Sequence, residues 1–159
     1  GSCPTATPFR SRGELVPGID LPDRSAARIR EDIVAAGANK TEPNIIVFAC
    51  RDDAQLKDIE DAGISCVTVN CMGHLPPSYV DFTLSRGHAD GVLLLGCQDG
   101  NCSYRFGAEW TEQRIARQRD PLLRSRVDLA RVALGWQTPW SDHSNTLKKV
   151  DAFKRSLKQ

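Results

Sequence analysis

The stretch Gly91-Val92-Leu93-Leu94-Leu95-Gly96-Cys97-Gln98-Asp99-Gly100-Asn101-Cys102 decides the fold. Its apolar run is too short for a helix core and is bracketed by glycines, the pattern of a strand buried on both faces of a parallel sheet. It ends on a thiol, Cys97, and a second thiol, Cys102, follows in the next loop. Two other stretches end the same way: Ile45-Ile46-Val47-Phe48-Ala49 stops at Cys50, and Cys66-Val67-Thr68-Val69-Asn70 stops at Cys71. Parallel strands of an α/β sheet finish at one edge, where such folds place their sites. Cys50, Cys71 and Cys97 are therefore predicted to arrive together, with Cys102 beside them.

Outward from these strands, the remaining elements follow from period and punctuation. Ala26, Ala27, Ile29, Ile33 and Val34 recur at helical spacing in Asp23 to Ala36, and Gly37 supplies a stop. Asp52 to Ala62 reads as a short helix with Leu56 and Ile59 on one face, and Pro76-Pro77 opens another that runs through Leu84. A helix is predicted from about Gly107 to Gln118, and a last one from about Ser144 to Leu157, striped by Leu147, Val150, Phe153 and Leu157. Between Arg119 and Trp136 the pattern suits a helix or an edge strand; the Val127-Asp128-Leu129 alternation favours a fourth strand near 127 to 133. The expected architecture is a single α/β domain over residues 23–159. Its sheet is small, mostly parallel and of about four strands, flanked by helices in flavodoxin- or Rossmann-like layers. Residues 1–22, with Pro4, Pro8, Pro17 and Pro22, read as an irregular N-terminal linker.

Composition narrows the function. The chain has 159 residues, 40% of them hydrophobic, enough to bury a core without disulfides. A net charge of +1 creates no long-range field, so attraction to nucleic acid or an acidic membrane is not implied. No run approaches the roughly 20 apolar residues of a membrane span, and no signal-peptide core opens the chain, so a cytoplasmic domain is expected. In that compartment six cysteines point to metal or redox chemistry before disulfides.

Cys66 starts its strand and reads as a small core hydrophobe. Cys50, Cys71, Cys97 and Cys102 are the candidate ligands. Four converging sulfurs meet the ligand count of a tetrahedral zinc site or an iron-sulfur cluster. Gly73, Gly96 and Gly100 are expected to let backbone N–H groups approach the sulfurs and hold their negative charge. The spacing lacks the paired C-x2-C knuckles of most structural zinc sites.

The order Phe48-Ala49-Cys50, Val69-Asn70-Cys71-Met72-Gly73, then Ala89-Asp90-Gly91-Val92 leading to Gly96-Cys97-Gln98-Asp99-Gly100-Asn101-Cys102-Ser103-Tyr104-Arg105 resembles the delta subunit of methyl-viologen-reducing hydrogenase. The resemblance spans about residues 43 to 158. It implies a [2Fe-2S] cluster in a small α/β domain that relays electrons between a hydrogenase-like donor and a flavoprotein-type redox partner, with no substrate turnover of its own. Two positions depart from the family pattern: Asp53 stands where a second cysteine is usual, and Ser103 where a histidine usually follows the last cysteine. Four thiols remain, enough for a cluster if Cys50 is the ligand; otherwise Asp53 substitutes with a harder oxygen or the site stays empty. Near the start, Cys3-Pro4 resembles the closing ligand of a bacterial ferredoxin run, as if a ferredoxin domain preceded this one.

Among the remaining candidates, His74 is a further possible ligand, although a loop histidine is by default solvated. Arg105, Arg114, Arg117, Arg119, Arg124, Arg126 and Arg131 form a basic block, either a solvated face or a docking surface for an acidic redox partner. Trp110, Trp136 and Trp140 read as core or interface aromatics. A phosphatase-like cradle lacks its arginine, since Ser103 and Ala108 occupy the positions where one is needed, and there is no C-x-x-C or Gly-rich dinucleotide motif. A structural zinc docking module, a metal-free one, and a Cys97–Cys102 disulfide switch are the alternatives to the cluster.

Overall fold

A computed structural model describes residues 24–38, 42–51, 56–98, 100–137 and 143–158. The expected linker over 1–22, Cys3, Asp53 and Trp140 lie outside the described residues. Four strands, β1 (Ile45–Cys50), β2 (Ser65–Val69), β3 (Gly91–Cys97) and β4 (Val132–Gln137), form one sheet in the order β2-β1-β3-β4. Every pairing is parallel. The α/β expectation therefore holds, and the chain reverses its direction of travel across the sheet between β1 and β3, where sites of open α/β sheets form.

The two central strands are apolar on both faces because both are covered. Ile46, Phe48, Val92 and Leu94 pack with Ile29 and Ile33 of α1 (Ala26–Gly37), Val80 and Leu84 of α3 (Pro77–Ser85) and Ile115 of α4 (Gly107–Ile115). Ile45, Val47, Leu93 and Leu95 face the other way, onto Ile59 of α2 (Leu56–Asp61) and Val150 and Phe153 of α5 (His143–Ser156). No helix of the described residues is long and apolar enough to cross a membrane.

Three boundaries differ from the sequence reading. Helix α1 starts at Ala26, because Ser25 is extended and its hydroxyl accepts the Arg28 N–H at 3.2 Å as an N-cap. At its far end Gly37 is no left-handed stop: a Cβ there would lie 2.8 Å from the His88 carbonyl oxygen, so close packing requires the glycine. Helix α4 ends at Ile115 because Arg117 turns left-handed, with φ 62°. Its guanidinium then donates to the carbonyls of Leu123 at 3.3 Å and Val127 at 2.7 Å, holding the next loop in place.

That loop displaces the expected fourth strand. Leu123 and Val127 are buried, but by a loop rather than a strand; Asp128 caps a short 3-10 turn, and β4 begins only at Val132. The loop is tied to α3 by Asp81, which accepts from Arg126 Nε at 2.7 Å and Nη2 at 2.6 Å and lies 3.5 Å from Arg124 Nε. The Arg126 hydrogen bonds, then the Ser85 hydroxyl and the two guanidinium charges, hold the Asp81 carboxyl below its ordinary value against the opposing effect of burial. A carboxyl depressed in the folded state adds stability that is complete above its unfolded value of about 4 and vanishes as pH falls through the folded one. The melting temperature should therefore drop on acidification below about pH 4 more steeply for the wild type than for Asp81→Asn, with Asp81→Asn already several degrees lower at neutral pH. Parallel melting curves would refute this ion pair's role.

Candidate metal centre

Cys50 is the last residue of β1 and is 3% exposed, on the face that carries Ile46 and Phe48. Its register partner is Val69, the end of β2, so the chain reaches Cys71 just past the same edge. Cys71 is extended and starts the 3-10 turn Met72–His74, whose first N–H, that of Met72, donates to Cys50 Sγ at 3.3 Å. Cys97 closes β3 and packs half-buried against the same core. The chain then turns through Gly100, at φ 85°, and returns Cys102, whose Sγ lies 3.8 Å from Cys71 Sγ. Cys50 is hydrogen-bonded to Cys71, and Cys97 is close enough to Cys50 to act on it electrostatically, so all four thiols gather at this one edge of the sheet. Cys66 sits in β2 against the opposite core, with Leu56 and Ile64. No disulfide joins the described cysteines.

The start of α4 completes the site. A Cβ on Gly107 would lie 2.7 Å from Cys71 Sγ and 3.0 Å from Cys102 Sγ, and one on Gly73 would lie 2.8 Å from the Gly107 Cα. Two glycines back to back thus let helix and loop close over the sulfurs, and Arg114 locks them by donating to the Gly73 carbonyl at 2.6 Å. The helix N-terminus brings the positive end of its dipole to the thiols. Of the three glycines expected to serve the sulfurs, Gly73 gives its N–H to Cys71, whereas Gly96 leaves room for Trp136, whose ring a Cβ would approach to 2.8 Å, and Gly100 makes the turn.

Cys71 is the acidic thiol. The Cys50 thiol donates to it, with help from the Gly73 N–H, Cys102 and nearby His74, and together these lower it to about 6 against the cost of burial. Cys50 moves the opposite way, raised because it is the donor in that bond and is buried beside other thiols, with only the Met72 N–H opposing. His74 is half-buried, its ring edge-on to Tyr104 at 4.6 Å, and its Nδ1 is buried without a hydrogen-bond partner. Among the described residues no three Cys, His, Asp or Glu side chains form the coordination sphere of one ion.

Most of the basic block serves the fold. Arg114, Arg117, Arg124, Arg126 and Arg131 bond to Gly73, to loop carbonyls, to Asp81, and to the carbonyls of Ala89 and Asp90. Sequence reasoning placed Gly107 only as a helix start and Arg114 only in the basic block, and missed what each does beside the thiols. A glycine shortly after Cys102 at a helix start was the visible signal for the first, and the second had none.

The model of the family described as methyl-viologen-reducing hydrogenase, delta subunit, matches residues 45–159, from the first residue of β1 and across all four thiols and Gly107. The chain belongs to this family. It is also similar to the iron-sulfur subunit of the F420-non-reducing hydrogenase of Archaeoglobus profundus, 31% identical over 103 residues, which are 60% of this chain and 74% of that protein. The iron-sulfur subunit of the vhc F420-non-reducing hydrogenase of Methanococcus voltae is 29% identical over 107 residues, 62% of this chain and 74% of its own length. The family match begins at β1, so α1 stands outside the stretch that defines the family.

Proposed function

We propose that this domain, residues 23–159, holds a [2Fe-2S] cluster on Cys50, Cys71, Cys97 and Cys102 and relays single electrons between redox subunits of a hydrogenase-type complex. The observation that carries the reading is the Cys71–Cys102 sulfur separation of 3.8 Å under Gly107. Two thiolates on one tetrahedral metal, each about 2.3 Å from it, stand about 3.8 Å apart. The names of the two relatives, both iron-sulfur subunits of hydrogenases, support the cofactor class.

The chain's own contribution is electrostatic and steric. The Met72 and Gly73 N–H groups and the start of α4 face the sulfurs, which stabilises negative charge there. Gly107 keeps the site closed to bulky groups. When bound, the cluster supplies one-electron storage at a potential set by those hydrogen bonds and by exposure.

Iron and acid-labile sulfide analysis of anaerobically purified protein, with an electron paramagnetic resonance spectrum after reduction, tests this. About two of each per chain and a reduced-cluster signal are expected; stoichiometric zinc, or no metal in protein never exposed to air, would overturn it. Cys102→Ser should abolish or shift the visible spectrum, whereas Cys66→Ser, on the opposite face of the sheet, should leave it unchanged.

A further inference from the structure

Among the described residues seven large hydrophobic side chains are exposed, and three of them, Tyr104 at 52%, Phe106 at 48% and Trp110 at 36%, fall in one short stretch beside the thiols. Singly exposed apolar residues are ordinary; a contiguous group marks a contact surface. Here the group is ordered. Phe106 and Trp110 stack one helical turn apart with ring centroids at 5.8 Å, and the Arg119 guanidinium lies 4.4 Å above the Trp110 ring. Tyr104 adds its ring through the edge contact with His74.

The placement gives the surface a purpose. Gly107, between Phe106 and Trp110 in the chain, is buried and faces the Cys71 and Cys102 sulfurs, while the two rings are exposed. One helical turn therefore carries the thiols on its inner side and the aromatic face on its outer side.

We propose that Tyr104, Phe106, Trp110 and Arg119 form the docking face for the redox partner of this domain, and that the partner meets it with an apolar contact ringed by carboxylates. The proposal rests on the electron-transfer reading above, since a relay needs its partner seated next to the metal. The cations beside the rings are Arg105 and Arg119, and neither makes an ion pair among the described residues. Glu109, three residues after Phe106, is engaged by the Gln113 side-chain amide at 2.9 Å, and Asp120 leads into the turn at Pro121. A guanidinium held over a tryptophan ring and without an ion-pair partner still has N–H donors to offer, and a carboxylate is the group that fits them two at a time. Tryptophan, tyrosine and arginine are also the residues on which binding energy concentrates. A second copy of the chain fits poorly, because a two-fold interface would set Arg105 and Arg119 against their own symmetry mates.

The test uses the complex isolated under mild conditions from the native host through a tag on this chain. Arg119→Lys keeps the charge and supplies an amine, so a carbodiimide, which joins amines to carboxylates in direct contact, should link position 119 to an aspartate or glutamate of a second redox protein. Trp110→Ala and Arg119→Glu should each reduce co-purification of that protein about tenfold or more, with the chain's own melting temperature and visible absorption unchanged. A link from position 119 to another copy of this chain would overturn the proposal. So would wild-type co-purification by both variants, or a wild-type chain that leaves its host alone. Absorption is read separately: a chain that docks as expected but carries no cluster refutes the electron-transfer reading and leaves the surface standing.

Discussion

Gly107→Ala should empty the proposed cluster site while every thiol is retained. The added methyl carbon would lie 2.7 Å from Cys71 Sγ and 3.0 Å from Cys102 Sγ, and Cys71 has little room to yield. Cys71 is 2% exposed and fixed by the end of β2 and the turn that follows; the opposite wall is Gly73, itself pinned by Arg114. Alanine in a helix is worth up to about 1 kcal/mol over glycine, whereas overpacking a tight site costs about 1–3 kcal/mol. The strain falls on the two sulfurs, so the variant should fold with nearly wild-type stability in the apo form yet lose most of its iron and visible absorption. Full iron loading in Gly107→Ala would show that the two sulfurs are not held where the proposed cluster needs them.

Phe48→Ala should give the largest loss of stability of any single truncation in the sheet. Phe48 has no exposed surface, belongs to the central strand β1, and packs against the core shared by α1, α3 and α4. Removing a buried phenyl group costs about 3–5 kcal/mol, transfer and cavity together, against a total of about 5–15 kcal/mol for a domain. The denaturant midpoint should fall sharply with little change in slope. Phe153→Ala, on the other face and 9% exposed, should cost less. A small effect at Phe48 would mean that the core collapses to fill the gap.

The parts of the fold visible in sequence were those written in local pattern. Two continuous apolar runs and one alternating one, each leading to a cysteine, gave β1, β3 and β2 and their common edge, and helical spacing with proline and glycine punctuation gave α1, α3 and α5 to within a few residues. The region 119–131 was misread because Val127 and Leu129 alternate as in a strand, while Val127 is carried into the core by a loop that Arg117 holds through its backbone carbonyls, a contact no periodicity announces. The basic block was legible as charge but not as structure: whether a guanidinium also ties to Asp81 or to a backbone carbonyl depends on a partner on another element. Of the site, the thiols were legible because chemistry names them. Gly107 and Arg114 were not, since what matters about them is the backbone and sulfur they touch across the fold.

The strand order has a consequence for how the molecule is made. Cys50 and Cys97 end adjacent strands, yet all of β2 and α3 is synthesised between them, and the lid over Cys71 arrives only with Gly107. The far face of the same sheet waits longer still, for α5 at the end of the described chain. Parallel pairings of this kind form late, because distant segments must close before any contact rewards them. A ribosome that has released β1 and β2 therefore holds out bare thiols with no wall around them, and loading of the proposed cluster belongs to the finished chain. In that interval the nascent protein is at its most vulnerable to oxidants and stray metal ions, a window that closes when α4 docks.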